Sequence, residues 1–198
     1  LTANAVLSER AERKGWTIAG PACPVVERPS PRAVSLRMIM TGGEAYTPAL
    51  AAAIAEHWPQ ASVYDLYGLT ETGSCDFCLT PAAQRDGAGS LGSPTEGVAF
   101  RIAGGEGAPL PAGEAGELEI APPFGMLGYL DKPELTAASF RNGYFRSGDL
   151  ARVRPDGRVA LVGRLKELIS RGGMKVAPLE IDNLLASHPA VAAALTFP

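Results

Sequence analysis

The sequence predicts an α/β fold: part of a parallel sheet, followed by a small β-rich unit that is a barrel or a sandwich. Two observations carry this. Residues 35–66 read strand, helix, strand at short spacing, the βαβ pattern of a parallel sheet. From about residue 87 to 163, Gly and Pro recur between short strand-like runs, the texture of a small antiparallel β-structure.

The elements follow in order. Residues 1–14 read as a helix, with apolar Val6 and Leu7 and a polar end from Glu9 to Lys14. Residues 20–34 are proline-rich and read as a loop. Ser35 to Met40 is a short apolar run that ends in the glycine turn Thr41-Gly42-Gly43. Thr47 is placed to cap a helix with Pro48 at its first position, and Leu50, Ile54 and Trp58 share one face until Pro59 ends it. Ala61 to Leu66 is the second strand. In the second half, Val98–Ile102, Glu117–Ile120, Asp149–Val153 and Val159–Val162 read as strands, with Pro133–Phe140 a short helix among them. Arg154-Pro-Asp-Gly157 is a turn signal, so the last two strands should form a hairpin. After Gly163 come Leu168–Ser170, a two-glycine turn, and a helix from Pro178 with Ile181, Leu184 and Leu185 on one side. Val191–Thr196 is strand-like.

The bulk properties exclude several partners. The 198 residues carry a net charge of −3, which argues against nucleic acid or an anionic membrane surface as a partner. No apolar run is long enough to span a bilayer, and no secretory signal opens the chain. Cys75 and Cys78 have zinc-like spacing, but neither a second pair nor a nearby His completes four ligands. With Cys23 they read as reduced thiols, which predicts a cytoplasmic protein. The start without Met and the strand-like end lead us to expect a piece of a longer protein.

Four segments carry groups suited to chemistry. Tyr67–Gly73 follows a strand of the parallel sheet, and ligands in such sheets bind beyond the carboxyl ends of the strands. Its aromatic ring, glycine, hydroxyls and carboxylate are the groups a nucleotide–Mg²⁺ site needs, although a capped polar turn has the same composition. Thr41–Glu44 follows the preceding strand and should lie at the same edge, where Gly42 and Gly43 let backbone approach a flat ring. In Tyr144–Leu150, Asp149 stands just before a strand, placed to accept two hydrogen bonds from a ribose diol. In Gly163–Lys166, Arg164 offers a planar fork for ribose or phosphate oxygens. Each of these is also an ordinary turn or a solvated basic loop. Met38, Met40 and the glycine pair suggest an apolar wall for a further ligand group.

Met40–Glu44, Tyr67–Gly73, Gly116–Ile120 with Gly128-Tyr129 and Thr136–Phe140, Tyr144–Leu150 and Gly163–Asp182, in this order, resemble the adenylate-forming superfamily, in its acyl-CoA ligase form. The resemblance implies three units: residues 1–86 as the end of an α/β nucleotide-binding subdomain, 87–165 as a β-barrel-like subdomain, and 166–198 as the start of a small, mobile α+β C-terminal domain. It implies ATP-dependent conversion of a small carboxylic acid to an acyl-AMP, and transfer of the acyl group to coenzyme A, with Mg²⁺ as cofactor. Carried across, Gly42, Gly43 and Glu44 line the adenine and acyl pocket and Tyr67 stacks on adenine. Thr70 bonds the α-phosphate, Glu71 holds Mg²⁺, and Asp149 grips the ribose with Arg164 assisting. Lys166 falls at the hinge between large and small domains, and Gly172 and Gly173 at the loop that lines the pantetheine tunnel. The family's phosphate loop and adenylation lysine would lie outside this chain, which alone is therefore expected to be inactive. The alternatives are an adenylation domain that loads a carrier protein, and a nucleotide-binding module without catalysis.

Overall fold

A computed structural model describes residues 36–43, 46, 48–171, 174–186, 188, 191 and 194–197. The predicted helix at 1–14 and loop at 20–34 lie outside these residues, as do Glu44, Thr47, Gly172 and Gly173.

Strands β1 (Met38–Gly42) and β2 (Ser62–Tyr67) pair in parallel, from Met38 opposite Ser62 to Gly42 opposite Leu66. Helix α1 (Pro48–His57) connects them. Its buried Ile54 packs with Tyr46 and Leu79, supported by Ile39, Trp58 and Val63. Both strands start later than the sequence predicts, because apolarity marks burial while the ladder marks pairing. Two short strands escape sequence reading: β3 (Phe77–Leu79), antiparallel to β2, and β4 (Ser93–Pro94), antiparallel to β3. Neither is long enough to show alternation. Between them lies a short helix, α2 (Gln84–Gly87).

The second sheet comprises β5 (Ala99–Ala103), β6 (Gly116–Ala121), β7 (Phe140–Arg141), β8 (Tyr144–Val153) and β9 (Val159–Arg164). All its pairings are antiparallel: β6 lies between β5 and β8, and β7 and β9 also pair with β8. The predicted hairpin is β8–β9, closed by Gly157 N–H donating to the Arg154 carbonyl at 2.9 Å. Helix α3 (Pro133–Ser139) precedes β7. Phe77 of the first sheet is fully buried among Leu91, Ile102, Leu118, Ile120, Ala151 and Val159, with Tyr67 packed against the cluster. The core of the second sheet thus reaches under the strand that ends at Tyr67.

On the other face of β6, Glu119 is completely buried. Arg101 meets it at 2.6 Å and Arg141 at 3.2 Å, and Arg101 also lies 4.4 Å from the Tyr144 ring centre. A buried carboxylate without a cation is costly, so Arg101→Leu should lower unfolding free energy by about 3–5 kcal/mol. Equilibrium denaturation measures this. A loss under about 1 kcal/mol would mean that Arg141 alone can neutralise the site.

Beyond β9 come a 3₁₀ turn (Leu165–Glu167), the antiparallel pair β10 (Ile169–Arg171) and β11 (Met174–Val176), and helix α4 (Pro178–Ala186). A Cβ on Gly163 would sit 2.8 Å from the Ala177 Cβ, so this glycine lets the following segment lie against β9. Leu184 and Leu185 of α4 are exposed. Among the described residues of the strand predicted at 191–196, Val191 and residues 194–196 are not in a strand. A strand needs a ladder partner, and a β-prone composition does not supply one.

Candidate active site

Because β1 and β2 are parallel, Gly42-Gly43 and Tyr67–Gly73 leave the sheet at one edge. Gly43 has φ +82°, and a Cβ there would meet nothing within 4 Å, so its backbone faces open space. Gly42 answers a different need, since a Cβ there would stand 2.8 Å from the Leu66 carbonyl oxygen. Met40, Thr41, Gly42, Gly43, Tyr46, Leu50 and Asp65 line an open recess of about 500 Å³. Met40 lines this recess and Met38 does not. Met38 and Met40 share one face of β1 but sit two residues apart, opposite Ser62 and Tyr64, and only Met40 reaches the recess. Asp65, on the neighbouring strand, accepts a hydrogen bond from Thr41 Oγ1 at 2.7 Å, and burial pushes its carboxyl up.

The segment after β2 folds back on itself. Asp76 N–H donates to the Tyr67 carbonyl at 2.8 Å and closes the loop at its base. The returning chain crosses directly over Gly68, where a Cβ would lie 2.3 Å from the Ser74 carbonyl carbon. Inside the loop, Thr72 N–H and Ser74 N–H donate to the Leu69 carbonyl at 3.1 and 2.8 Å. Thr72 Oγ1 donates a short hydrogen bond to the Asp76 carboxylate. Asp76 is buried, and that burial raises its carboxyl above the ordinary range against the pull of Thr72 and the Leu69 N–H. These inward bonds leave Thr70 exposed and Glu71 half-buried at the tip.

A second loop braces that tip. Met126 N–H donates to the Glu71 carbonyl at 2.8 Å, and Tyr129 Oη donates to Glu71 Oε1 at 3.0 Å. Gly73, at φ +101°, passes so close to the Phe124 carbonyl oxygen that a Cβ would lie 2.7 Å from it. Burial first, then the Glu71 hydrogen bond and charge, push the Tyr129 phenol up, so it stays a donor.

Tyr67, Asp149 and Arg164 form a connected triplet. Tyr67 Oη donates to Asp149 Oδ2 at 2.5 Å, and Arg164 Nε meets Asp149 Oδ1 at 3.0 Å. Asp149 is buried and Arg164 largely exposed, so the fork of Arg164 reaches outward from a fixed anchor. Burial, then the Asp149 charge, drives the Tyr67 phenol far above its ordinary range. Asp149 and Arg164 are direct ladder partners on β8 and β9, which explains their meeting. Asp149 does not precede a strand, as expected, but lies inside β8. Its neighbour Gly148 has φ +74° and the β6–β8 register shifts here, so a bulge has the sequence look of a strand start. Ser147 Oγ bonds the Leu118 carbonyl at 2.6 Å and receives Asp149 N–H at 3.0 Å, which aims the carboxylate at Tyr67.

Of the sequence-derived candidates, the structure joins Tyr67, Asp149 and Arg164, and sets Thr70 and Glu71 on the adjoining loop. Lys166 follows two residues after Arg164, exposed in the 3₁₀ turn. Glu44, Gly172 and Gly173 lie outside the described residues. Sequence reading missed Thr72, Asp76, Met126, Tyr129 and Ser147 as supports. Gly128-Tyr129 was legible as a motif, but nothing in it announced a carboxylate partner 58 residues away.

The donor set suits a nucleotide and one hard cation. Glu71 takes one hydrogen bond on its carboxylate among the described residues, leaving its other oxygen for a ligand. No group of three His, Cys, Asp or Glu side chains able to hold a metal occurs among the described residues. Mg²⁺ needs no such cage, because it is usually held by one or two carboxylates with water and phosphate. Both Asp149 oxygens are engaged, yet a carboxylate has about four acceptor positions, enough for a ribose diol as well.

Comparison with known proteins decides the family. The model of the family described as "AMP-binding enzyme" matches residues 4–130. The chain belongs to this family. Among AMP-binding enzymes, a fatty acid–[acyl-carrier-protein] ligase of Streptomyces coeruleorubidus is 42% identical over 134 residues, covering 66% of this chain and 26% of that protein. A feruloyl-CoA synthase of Amycolatopsis is 37% identical over 159 residues, covering 80% and 32%. The crystal structure of an anthranilate CoA ligase in complex with anthranoyl-AMP superposes with a TM-score of 0.75 at 30% identity, covering 83% of this chain and 31% of that one. The chain thus spans about a third or less of the length of these AMP-binding enzymes, and shares a mixed α/β fold with the anthranilate CoA ligase.

Proposed function

We propose that the whole protein carrying this chain is an acid–thiol ligase. It joins a small carboxylic acid to AMP from ATP, releasing pyrophosphate, and then transfers the acyl group to the thiol of coenzyme A, releasing AMP. The observation that carries this reading is the edge where Tyr67, Asp149 and Arg164 lock together beside the exposed Thr70 and half-buried Glu71. The relatives' names support it, being those of ligases that act on carboxylic acids with CoA or a carrier protein.

Each residue then has a task. Gly42 and Gly43 give the adenine a bare backbone wall, with the Tyr67 ring on its other side. Asp149 accepts from the ribose hydroxyls while the exposed guanidinium of Arg164 adds a donor beside it. Thr70 donates its hydroxyl to the α-phosphate, and Glu71 holds Mg²⁺. When bound, Mg²⁺ supplies positive charge against the phosphate oxygens. The chain contributes by holding the acid carboxylate and the α-phosphorus in line, which converts a two-body encounter into an oriented one. Glu44 would close the adenine side, and Gly172 and Gly173 the pantetheine path. Lys166, at the exposed turn after β9, is the pivot about which the unit from 166 onward would turn between adenylation and thioester formation. On this reading residues 1–86 and 87–165 are successive subdomains of the larger part. The free thiols Cys75 and Cys78 support a cytoplasmic location. No helix among the described residues is long and apolar enough to cross a membrane.

The test is pyrophosphate release by the whole protein over a panel of aromatic, alicyclic and fatty acids, with and without CoA. We expect acid-dependent ATP–pyrophosphate exchange without thiol, and thioester only when CoA is added. Absence of exchange with every acid sinks the proposal. The 42% identity to a ligase named for an acyl carrier protein favours one second reading, in which a carrier-protein thiol replaces CoA. Thioester formed on holo-carrier protein but not on CoA would select it.

A further inference from the structure

The motif around Gly128-Tyr129 has no task in the reaction above, yet it hydrogen-bonds the Glu71 tip. We propose that Tyr129 is the positioning residue of Glu71, holding its carboxylate in the one orientation that receives a divalent cation. The inference rests on the reading of Glu71 as a metal ligand and adds the residue that aims it.

Three contacts tie the loops together and act in different ways. The Tyr129 hydroxyl fixes one carboxylate oxygen, at 3.0 Å, which leaves the other to point away from the brace. The Met126 N–H, on the Glu71 carbonyl at 2.8 Å, fixes the backbone from which that side chain springs. The glycine at 73 allows the Phe124 backbone to close against the turn. Tyr129 is itself secured from behind. Its N–H donates to Thr136 Oγ1 at 2.9 Å, and Thr136 Oγ1 donates to the Lys132 carbonyl at 3.0 Å in the first turn of α3. Gly128, at φ +155°, is required by the same closure, since a Cβ there would lie 3.0 Å from Thr136 Oγ1. A Glu side chain at a half-exposed loop tip has several rotamers of similar energy. One bond to a ring anchored by a helix removes that freedom before the cation arrives. Partners of this kind set both the direction and the basicity of a ligating carboxylate.

The experiment uses the whole protein and Mn²⁺ as a spin probe. The affinity of the ATP-loaded protein for Mn²⁺ is read by electron paramagnetic resonance, and ATP affinity without divalent metal is read separately. Tyr129→Phe keeps the ring and loses the hydroxyl. We expect Mn²⁺ affinity to fall roughly tenfold while metal-free ATP affinity stays within about twofold, since Tyr67, Asp149 and Arg164 are untouched. In a Glu71→Gln background the same change should add nothing. Thr136→Val, which frees the Tyr129 backbone, should show a smaller loss in the same direction, and it decides the matter should Tyr129→Phe not fold. Unchanged Mn²⁺ affinity in Tyr129→Phe, with a clear loss in Glu71→Gln, overturns the positioning role alone. No loss in Glu71→Gln overturns the metal reading of Glu71 and this inference with it. Equal losses in Mn²⁺ and metal-free ATP affinity would make Tyr129 a structural strut and overturn the inference.

Discussion

Glu71→Gln in the whole protein should lower acid-dependent ATP–pyrophosphate exchange by about 10²–10³-fold at saturating substrates, with little change in thermal stability. Gln has nearly the shape of Glu and keeps an acceptor for Tyr129, so the brace at 3.0 Å can persist. The Met126 bond to the Glu71 backbone does not depend on the side chain at all. What disappears is one negative charge facing the phosphates. On the proposed reading that charge would hold the cation near the phosphates, so the loss should fall on turnover more than on ATP affinity. Initial exchange rates at several Mg²⁺ concentrations measure it. Exchange within about threefold of the parent would remove Glu71 from the metal site.

Asp149→Asn should have the next largest effect, a rise of about 10- to 100-fold in the ATP dissociation constant, together with a loss of about 1–3 kcal/mol in stability. Asp149 accepts from two donors at once, Tyr67 Oη on one oxygen and Arg164 Nε on the other. An amide can face only one of them with its oxygen and turns its own donors toward the other. Arg164 is largely exposed and can turn to water, so the stability cost falls on the half-buried Tyr67 and the buried position 149, where a mismatched donor is not easily hydrated. Arg164 also loses the anchor that holds its fork, so on the proposed reading the ribose would lose two contacts through one substitution. Isothermal titration with ATP and denaturant unfolding read the two effects independently. Lost stability with unchanged ATP affinity would make Asp149 a buried strut and end its ribose role.

The legible parts of this molecule were the local ones. Thr41-Gly42-Gly43 announced a turn because only glycine takes its conformation and its close approach to Leu66. The parallel pair was legible because helix and strand periods alternate within thirty-odd residues (35–66). Strand β3 was not, because three residues carry no period and its reason for existing is Phe77, which packs into a core built by the other sheet. Asp149 shows both outcomes at once. The resemblance placed it beside Arg164, which the ladder pairing matches, but its place inside β8 could not be read, since Ser147-Gly148 looks like a loop and is a bulge. Tyr129 and Asp76 were hidden for a common reason. Each acts through a partner whose identity depends on how the chain returns in space, and spacing along the chain is silent about that.

The distances along the chain between partners at this edge have a consequence for how it comes into being. Tyr67 finds Asp149 across 82 residues, and Glu71 finds Tyr129 across 58. Closing such loops costs entropy that local contacts do not recover, so pairings of this span form late in folding. The first sheet can assemble β1, α1 and β2 from neighbours in sequence, yet at that stage Tyr67 has no carboxylate and Glu71 has no brace. A nascent or partly unfolded chain therefore presents an edge that is shaped but unarmed. On the proposed reading, competence to hold a nucleotide should arrive only when the second sheet has closed beneath this edge, and should be among the first properties lost when that sheet opens.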